Sequence, residues 1–250
     1  MKHVTAMDEL ARPRAAAFST THWSAVAAAG SDLAGAAGAL EQLCVKYWYP
    51  IYAFIRRRGS DHHQAEDLTQ AFFAHLLEKE TLRKADRNKG KFRTFLLAAL
   101  TNFLANEWDK RQTLKRGGQC QILSLDETVA EELYRQDAVE TTTPQTLFER
   151  RWALALLAQA LARLKQEYAE AGKAELFAKL EPGLTGSPDA GWCAKCAGRL
   201  GMNENAVRVA LHRLRRRFGE SLREEIAPTV GSAAEVEDEI RHLFAAFVQP

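Results

Sequence analysis

The stretch LGMNENAVRVALHRLRRRF, Leu200 to Phe218, carries five arginines and one acid. Arginines on a helix can meet phosphates, and residues at a helix start can reach base edges in the major groove. Ala197, Gly201 and Val207 supply the pattern of a helix-turn-helix. A small residue lets the helices approach, a glycine takes the left-handed turn, and a branched residue plugs the second helix into the core. Asn203 is placed to cap the second helix. Val207, Leu211, Leu214 and Phe218 then face inward. Glu204, Asn205, Arg208, His212, Arg215 and Arg216 face outward and, with Asn203, form the candidate duplex-reading set. A solvated basic face in an ordinary bundle has the same composition, so a second region must agree before the stretch means DNA.

Other reactive residue types point nowhere as definite. Cys193-x-x-Cys196 has a spacing zinc uses, but it falls on the first helix of the turn unit and no second Cys or His pair follows at finger spacing. No metal is expected. His62–His63 read as a polar helix start. Glu66 and Asp67 are adjacent and diverge on a helix, which does not suit a catalytic carboxylate pair. No nucleophile–base constellation or phosphate-binding glycine loop appears, so neither an enzyme nor a cofactor is expected.

The net charge of +2 predicts no polyanion partner by itself, but its distribution is uneven. Arg83 to Arg116 holds ten Lys or Arg against three acids, Asp86, Glu107 and Asp109. Gly117 to Leu147 holds six acids against one arginine. Basic, acidic and again basic blocks suggest two polyanion-facing modules and a connector of opposite character. Four irregularly spaced cysteines (Cys44, Cys120, Cys193, Cys196) argue for a reducing compartment. No apolar run approaches the ~20 residues of a membrane span. The first residues carry acids and a proline where a signal peptide needs an apolar stretch. The expectation is a cytoplasmic protein with no membrane partner.

The elements that must position these residues read as helices. Period-2 alternation is nearly absent and Ala, Leu, Glu, Arg and Lys dominate, so the fold class expected is all-α. Residues 1–35 read as a loose N-terminal segment. A helical domain is expected over 36–116, with Pro50 interrupting or bending its first helix and Gly59 ending it. Ser60 or Asp61 caps the next helix, whose stripe is Leu68, Phe72, Phe73 and Leu76. Phe92, Leu96, Ala99, Phe103 and Leu104 mark another core face. Residues 117–146 read as an acidic linker with a short helix near Asp126–Tyr134. A second helical domain spans 147–222, with Trp152, Leu156, Ala160, Leu161 and Leu164 recurring at three and four residues. The extension 223–250 carries an amphipathic helix at about 235–248, with Val236, Ile240, Leu243, Phe244 and Phe247 on one side.

The order AEDLTQAFFAHLL, KFRTFLLAALTNFLANEWDKR, acidic linker and helix-turn-helix resembles a bacterial sigma factor of the sigma-70 family. The resemblance is to the extracytoplasmic-function branch, which keeps domains 2 and 4, and it covers about residues 36–222. It implies that the helix Gln64–Leu77 docks on the clamp helices of RNA polymerase core through Gln64, Asp67, Gln70 and Ala71. It implies that the loop Glu80–Lys91 captures a flipped base of the −10 element and that Phe92–Arg111 contacts promoter DNA as it melts. The −10 candidates are Lys89, Lys91, Arg93, Asn102, Trp108, Lys110 and Arg111. Trp108 beside Lys110 and Arg111 has the chemistry to stack an unpaired base. Phe92, Phe95 and Phe103 read as core. The domain over 147–222 would read the −35 element, and the linker would pass through the polymerase toward the RNA exit path.

One departure stands out. The family's docking helix reads like D-A-E-D-L-V-Q-E, whereas here it is QAEDLTQA, Gln64 to Ala71. On the docking arc only Asp67 is charged. Thr69 stands where an apolar residue is usual, and phosphorylation there by a Ser/Thr kinase would add about −1.5 to −2 charge units. The helical wheel puts Thr69 nearer the apolar side, against that idea. No anti-sigma partner is indicated. Two other readings compete: a helix-turn-helix regulator acting without polymerase, and a phosphorylation-dependent adaptor that binds proteins only.

Overall fold

The computed structural model of the chain describes residues 46–77, 91–113, 127–137, 143–185 and 191–247. Among them every regular element is helical, as the composition requires. In chain order they are α1 (46–57), α2 (His62–Leu77), α3 (Phe92–Thr113), α4 (Glu127–Asp137), α5 (Pro144–Glu170), α6 (Ala174–Leu180), α7 (Pro182–Thr185), α8 (Trp192–Leu200), α9 (Glu204–Ile226) and α10 (Ala233–Ala245). A 3-10 turn, Ala227–Thr229, joins α9 to the final helix. The expected loose segment 1–35 lies outside the described residues, as do Lys89 and residues 117–126 and 138–142 of the linker; its end, 143–146, forms the cap and start of α5.

Local chemistry accounts for the helix ends. Gly59, at φ 98°, takes the left-handed conformation that stops α1. Asp61 Oδ1 accepts from the Gln64 amide at 2.8 Å and so caps α2. Thr143 caps α5, with Pro144 opening it, where a missing N–H costs nothing. Pro50 does not interrupt α1: the helix runs through it. Burial of Tyr47, Ile51, Phe54 and Ile55 on the same helix outweighs one lost backbone bond.

Two apolar clusters hold the helices together. In the larger one, Tyr47, Ile51 and Phe54 of α1, Phe72 of α2 and Phe92, Leu96 and Phe103 of α3 pack with one another. The same cluster takes in Phe148, Trp152 and Leu156 of α5, Leu222 and Ile226 of α9, and Val236 and Leu243 of α10. Aromatic edges tie it up: Phe72 meets Phe103 at 5.5 Å and Phe54 meets Phe148 at 6.4 Å between ring centroids. The smaller cluster holds Leu164, Phe177, Leu180, Ala197, Val207, Leu211 and Leu214, so the long helices α5 and α9 each run from one core into the other. Packing therefore continues across residue 147, where composition alone places a boundary.

The inward face of α10 differs from its apolar periodicity. Val236, Leu243 and Ala246 are buried, but Phe244 and Phe247 are 54% and 38% exposed. Glu239 is buried in their stead, at 1% exposure. This carboxylate, not a phenyl ring, meets the cations Lys91 and Arg93 at the start of α3.

Candidate nucleic-acid and polymerase interface

The face of α2 expected to dock a protein partner is open. Gln64, Asp67 and Ala71 are exposed and Gln70 is half-buried. Leu68, Phe72, Phe73 and Leu76 turn inward, which leaves that arc as the outer side. Thr69 is fully buried, and its Oγ1 donates to the Ala65 carbonyl at 2.7 Å. A kinase could reach this hydroxyl only after α2 opened locally, because the hydroxyl is on the core side of the helix.

At the start of α3 two of the candidate DNA-contacting cations are already engaged. Arg93 is 6% exposed. Its Nε donates to Glu239 Oε1 at 3.1 Å and its Nη1 to Glu149 Oε1 at 2.7 Å, while its guanidinium lies 4.8 Å over the Trp152 ring. Lys91 Nζ sits 2.7 Å from Glu239 Oε2. Burial pushes the Glu239 carboxyl up, but the hydrogen bond and charge of Arg93, with those of Lys91, more than offset this and hold it below its ordinary range. Arg93 is thus not on the surface in this arrangement, and nothing in the sequence window around it signals its partners, which are 56 and 146 residues away.

The rest of α3 presents a narrow outer strip of small and polar residues: Thr94, Ala98, Thr101, Asn102, Ala105 and Asn106. Asn102 is exposed there, and Trp108 is 69% exposed near the far end. Phe92 and Phe103 are core, and Phe95 packs partly against it. The side chains of Lys110 and Arg111 lie outside the described residues.

Around Gly201 the local geometry follows the sequence closely. Gly201 closes α8 at φ 61° and its N–H donates to the Ala197 carbonyl. Asn203 caps α9, with Oδ1 accepting from the Ala206 amide at 2.8 Å. Ala197, Val207, Leu211 and Leu214 are buried. Asn203, Glu204, Asn205, Arg208, His212, Arg215 and Arg216 all lie on the exposed side. Not every arginine there is equal, however. Arg215 donates from Nε and Nη2 to the Gly183 carbonyl, at 3.1 and 2.7 Å, and so braces α7. Arg217, half-buried, clamps Glu167 and Glu224 at 2.6 and 2.9 Å. Arg213, Lys195 and Arg199 are exposed basic residues of α8 and α9 that outward periodicity alone does not single out.

The histidines are more than a helix start. His62 Nδ1 is 2.7 Å from Tyr52 Oη, which donates to Glu131 Oε2 at 2.8 Å. Arg56 Nη2 donates to Glu131 Oε1 at 2.7 Å, so α4 of the acidic linker is pinned to α1. The Arg56 hydrogen bond holds the Glu131 carboxyl below its ordinary range. His62, His63 and Glu66 bring three potential ligand atoms within 4.8 Å of one another. Cys196 is buried in the smaller core, with Sγ 3.7 Å from the Lys179 carbonyl, while Cys193 is half-buried. Among the described residues no helix is long and apolar enough to cross a membrane.

α2 thus carries an exposed polar arc, and α3 a polar outer strip with the exposed Trp108 near its end. Residues 46–113 match the family model for sigma-70 region 2, and this segment belongs to the sigma-70 family. A region 2 segment supports a sigma-factor role in promoter recognition, with RNA polymerase core and promoter DNA as the partners that role implies. No curated protein and no solved structure matches the chain.

Proposed function

We propose that the chain is a sigma factor of the extracytoplasmic-function type, which recruits RNA polymerase core to specific promoters and helps melt them. The observation that carries this reading is the region 2 match over 46–113. The arc of Gln64, Asp67, Gln70 and Ala71 docks on the clamp helices of the polymerase. The strip on α3 meets the −10 element, and Trp108 stacks an unpaired base, since a mostly exposed indole has a free face for it.

The capped, arginine-rich α9 acts as the recognition helix of a helix-turn-helix that reads the −35 element. Asn203, Glu204 and Asn205 at its start reach base edges, while Arg208, His212 and Arg216 meet phosphates. The linker, from which α4 is drawn, bridges the two DNA-contacting parts inside the polymerase. The chain does no chemistry of its own.

Asp67 is the only fixed charge on the docking arc, so polymerase affinity rests heavily on it. The test is association with purified core polymerase by gel filtration. The unmodified protein co-elutes with core, and Asp67→Arg loses most of that association without losing its fold. Failure of the unmodified protein to associate at any salt concentration would remove the reading.

A further inference from the structure

The start of α3 has an unusual charge problem. Lys91 and Arg93 flank the positive end of a 22-residue helix whose first turn holds no acid. Cations there oppose the helix dipole, whereas anions are favoured. The site's anion comes from the other end of the chain: Glu239 of α10 takes Lys91 on Oε2 at 2.7 Å and Arg93 on both oxygens, Nε to Oε1 at 3.1 Å and Nη2 to Oε2 at 3.4 Å.

Glu239 is also misplaced for ordinary packing. It lies on the inward stripe of α10 between Val236 and Leu243, both buried. An apolar residue there would seat the helix at least as well, because a buried ion pair often breaks even against a hydrophobic replacement. A buried carboxylate that answers two cations is therefore selective for position more than for stability. The apolar footprint of α10 is Val236 and Leu243, buried, with Ile240 partly buried beside them, so the ion pairs of Glu239 add directional contacts to a modest apolar face.

We propose that α10 is a built-in competitor of promoter DNA. The Glu239 carboxylate occupies a phosphate site made by the side chains of Lys91 and Arg93, and DNA binding displaces the helix. This inference rests on the sigma-factor reading. In the closed arrangement Arg93 is shielded and the ends of α5 and α9 are locked to the region 2 core, with Lys46 Nζ also 2.7 Å from Glu225. Release turns about the 3-10 turn and Gly231, frees Lys91 and the Glu239-facing edge of Arg93 for the phosphate backbone while Glu149 keeps Arg93 Nη1, and uncouples α10 from α3. A backbone phosphodiester at this place carries the same single charge as the carboxylate and would accept from the same donors.

The test compares the unmodified full chain with Glu239→Gln, using a fluorescein-labelled, mixed-sequence single-stranded oligonucleotide and fluorescence anisotropy. Circular dichroism establishes that the variant is folded. The proposal expects the variant to bind about fivefold tighter or more at low salt. The unmodified protein releases an internal anion as it takes a phosphate, so its affinity should fall less steeply with salt. The difference in log–log slope should approach about 0.7 per phosphate newly contacted. Amide hydrogen exchange on the unmodified protein gives a second reading that needs no variant: protection over 233–245 falls when the oligonucleotide binds. Equal affinities, or unchanged protection over 233–245 in the complex, overturn the proposal while leaving DNA binding intact. If neither protein binds the oligonucleotide, the DNA-binding part of the functional reading fails, and the proposal fails with it.

Discussion

Glu239 and Arg93 meet across 146 residues of sequence with both side chains nearly out of water, at 1% and 7% exposure, and Oε1 3.1 Å from Nε. This pair ties the C-terminal helix to the start of α3.

Removing one partner should hurt more than removing both. Glu239→Ala leaves Arg93 buried with only Glu149 and the Trp152 face, and is expected to cost about 3–5 kcal/mol. Arg93→Met combined with Glu239→Leu should cost far less, because no buried charge is left over. Urea unfolding of the two variants measures this; a double variant as unstable as the single one would contradict it.

Acid should loosen the same contact. The Glu239 and Glu131 carboxyls are both held below the ordinary range in the folded protein. A lowered folded pKa means stability that is fully present above the unfolded value, about 4.3 for Glu. It is lost as pH falls through the folded value. The melting temperature should therefore drop steeply below about pH 4.5, and Glu239→Gln should show a shallower drop from a lower plateau. A variant that tracks the unmodified protein at every pH would show that the pair contributes no linkage.

The turn before α9 offers a cleaner backbone test. A Cβ at Gly201 would meet nothing within 4 Å, so Gly201→Ala costs only the left-handed conformation, about 1–2 kcal/mol. Asn203→Ala loses the cap and should cost about 1 kcal/mol. Thermal unfolding reads both. A stability change below a few tenths of a kcal/mol in either would mean the turn is not held as described.

Much of this was legible in the sequence, and the reasons are local. Gly201, Asn203 and the spacing of Val207, Leu211 and Leu214 fix a capped helix whatever surrounds it, and Asp61 does the same for α2. The stripe Leu68, Phe72, Phe73 and Leu76 marks its own inner face. What was not legible depends on contacts distant in sequence. Arg93 resembles any surface arginine until Glu149 and Glu239 are brought to it. Phe244 and Phe247 resemble core, yet in the packed chain Glu239 is buried and both rings are exposed. Pro50 signals a break only if packing is left out.

Thr69 shows how burial limits a local motif. Thr69→Ala should cost about 1 kcal/mol for the lost hydrogen bond to Ala65. Thr69→Asp should cost several times more, because it puts a charge where no water reaches. If Thr69→Asp melts within a degree or two of the unmodified protein, the site is more open than its complete burial implies.

Trp108 separates structure from function. With its ring mostly in water, Trp108→Ala should change stability by no more than about 0.5 kcal/mol. Its loss should nevertheless weaken binding to single-stranded DNA by about 1–3 kcal/mol, the worth of one stacked base. Unchanged DNA affinity would assign the melted base to another side chain.

The most direct measurement is run-off transcription with purified core polymerase and the full chain on fragments of host genomic DNA. The account predicts transcripts with discrete start sites that depend on the protein and weaken with Asp67→Arg. A protein that neither associates with core polymerase nor yields any discrete transcript would contradict it.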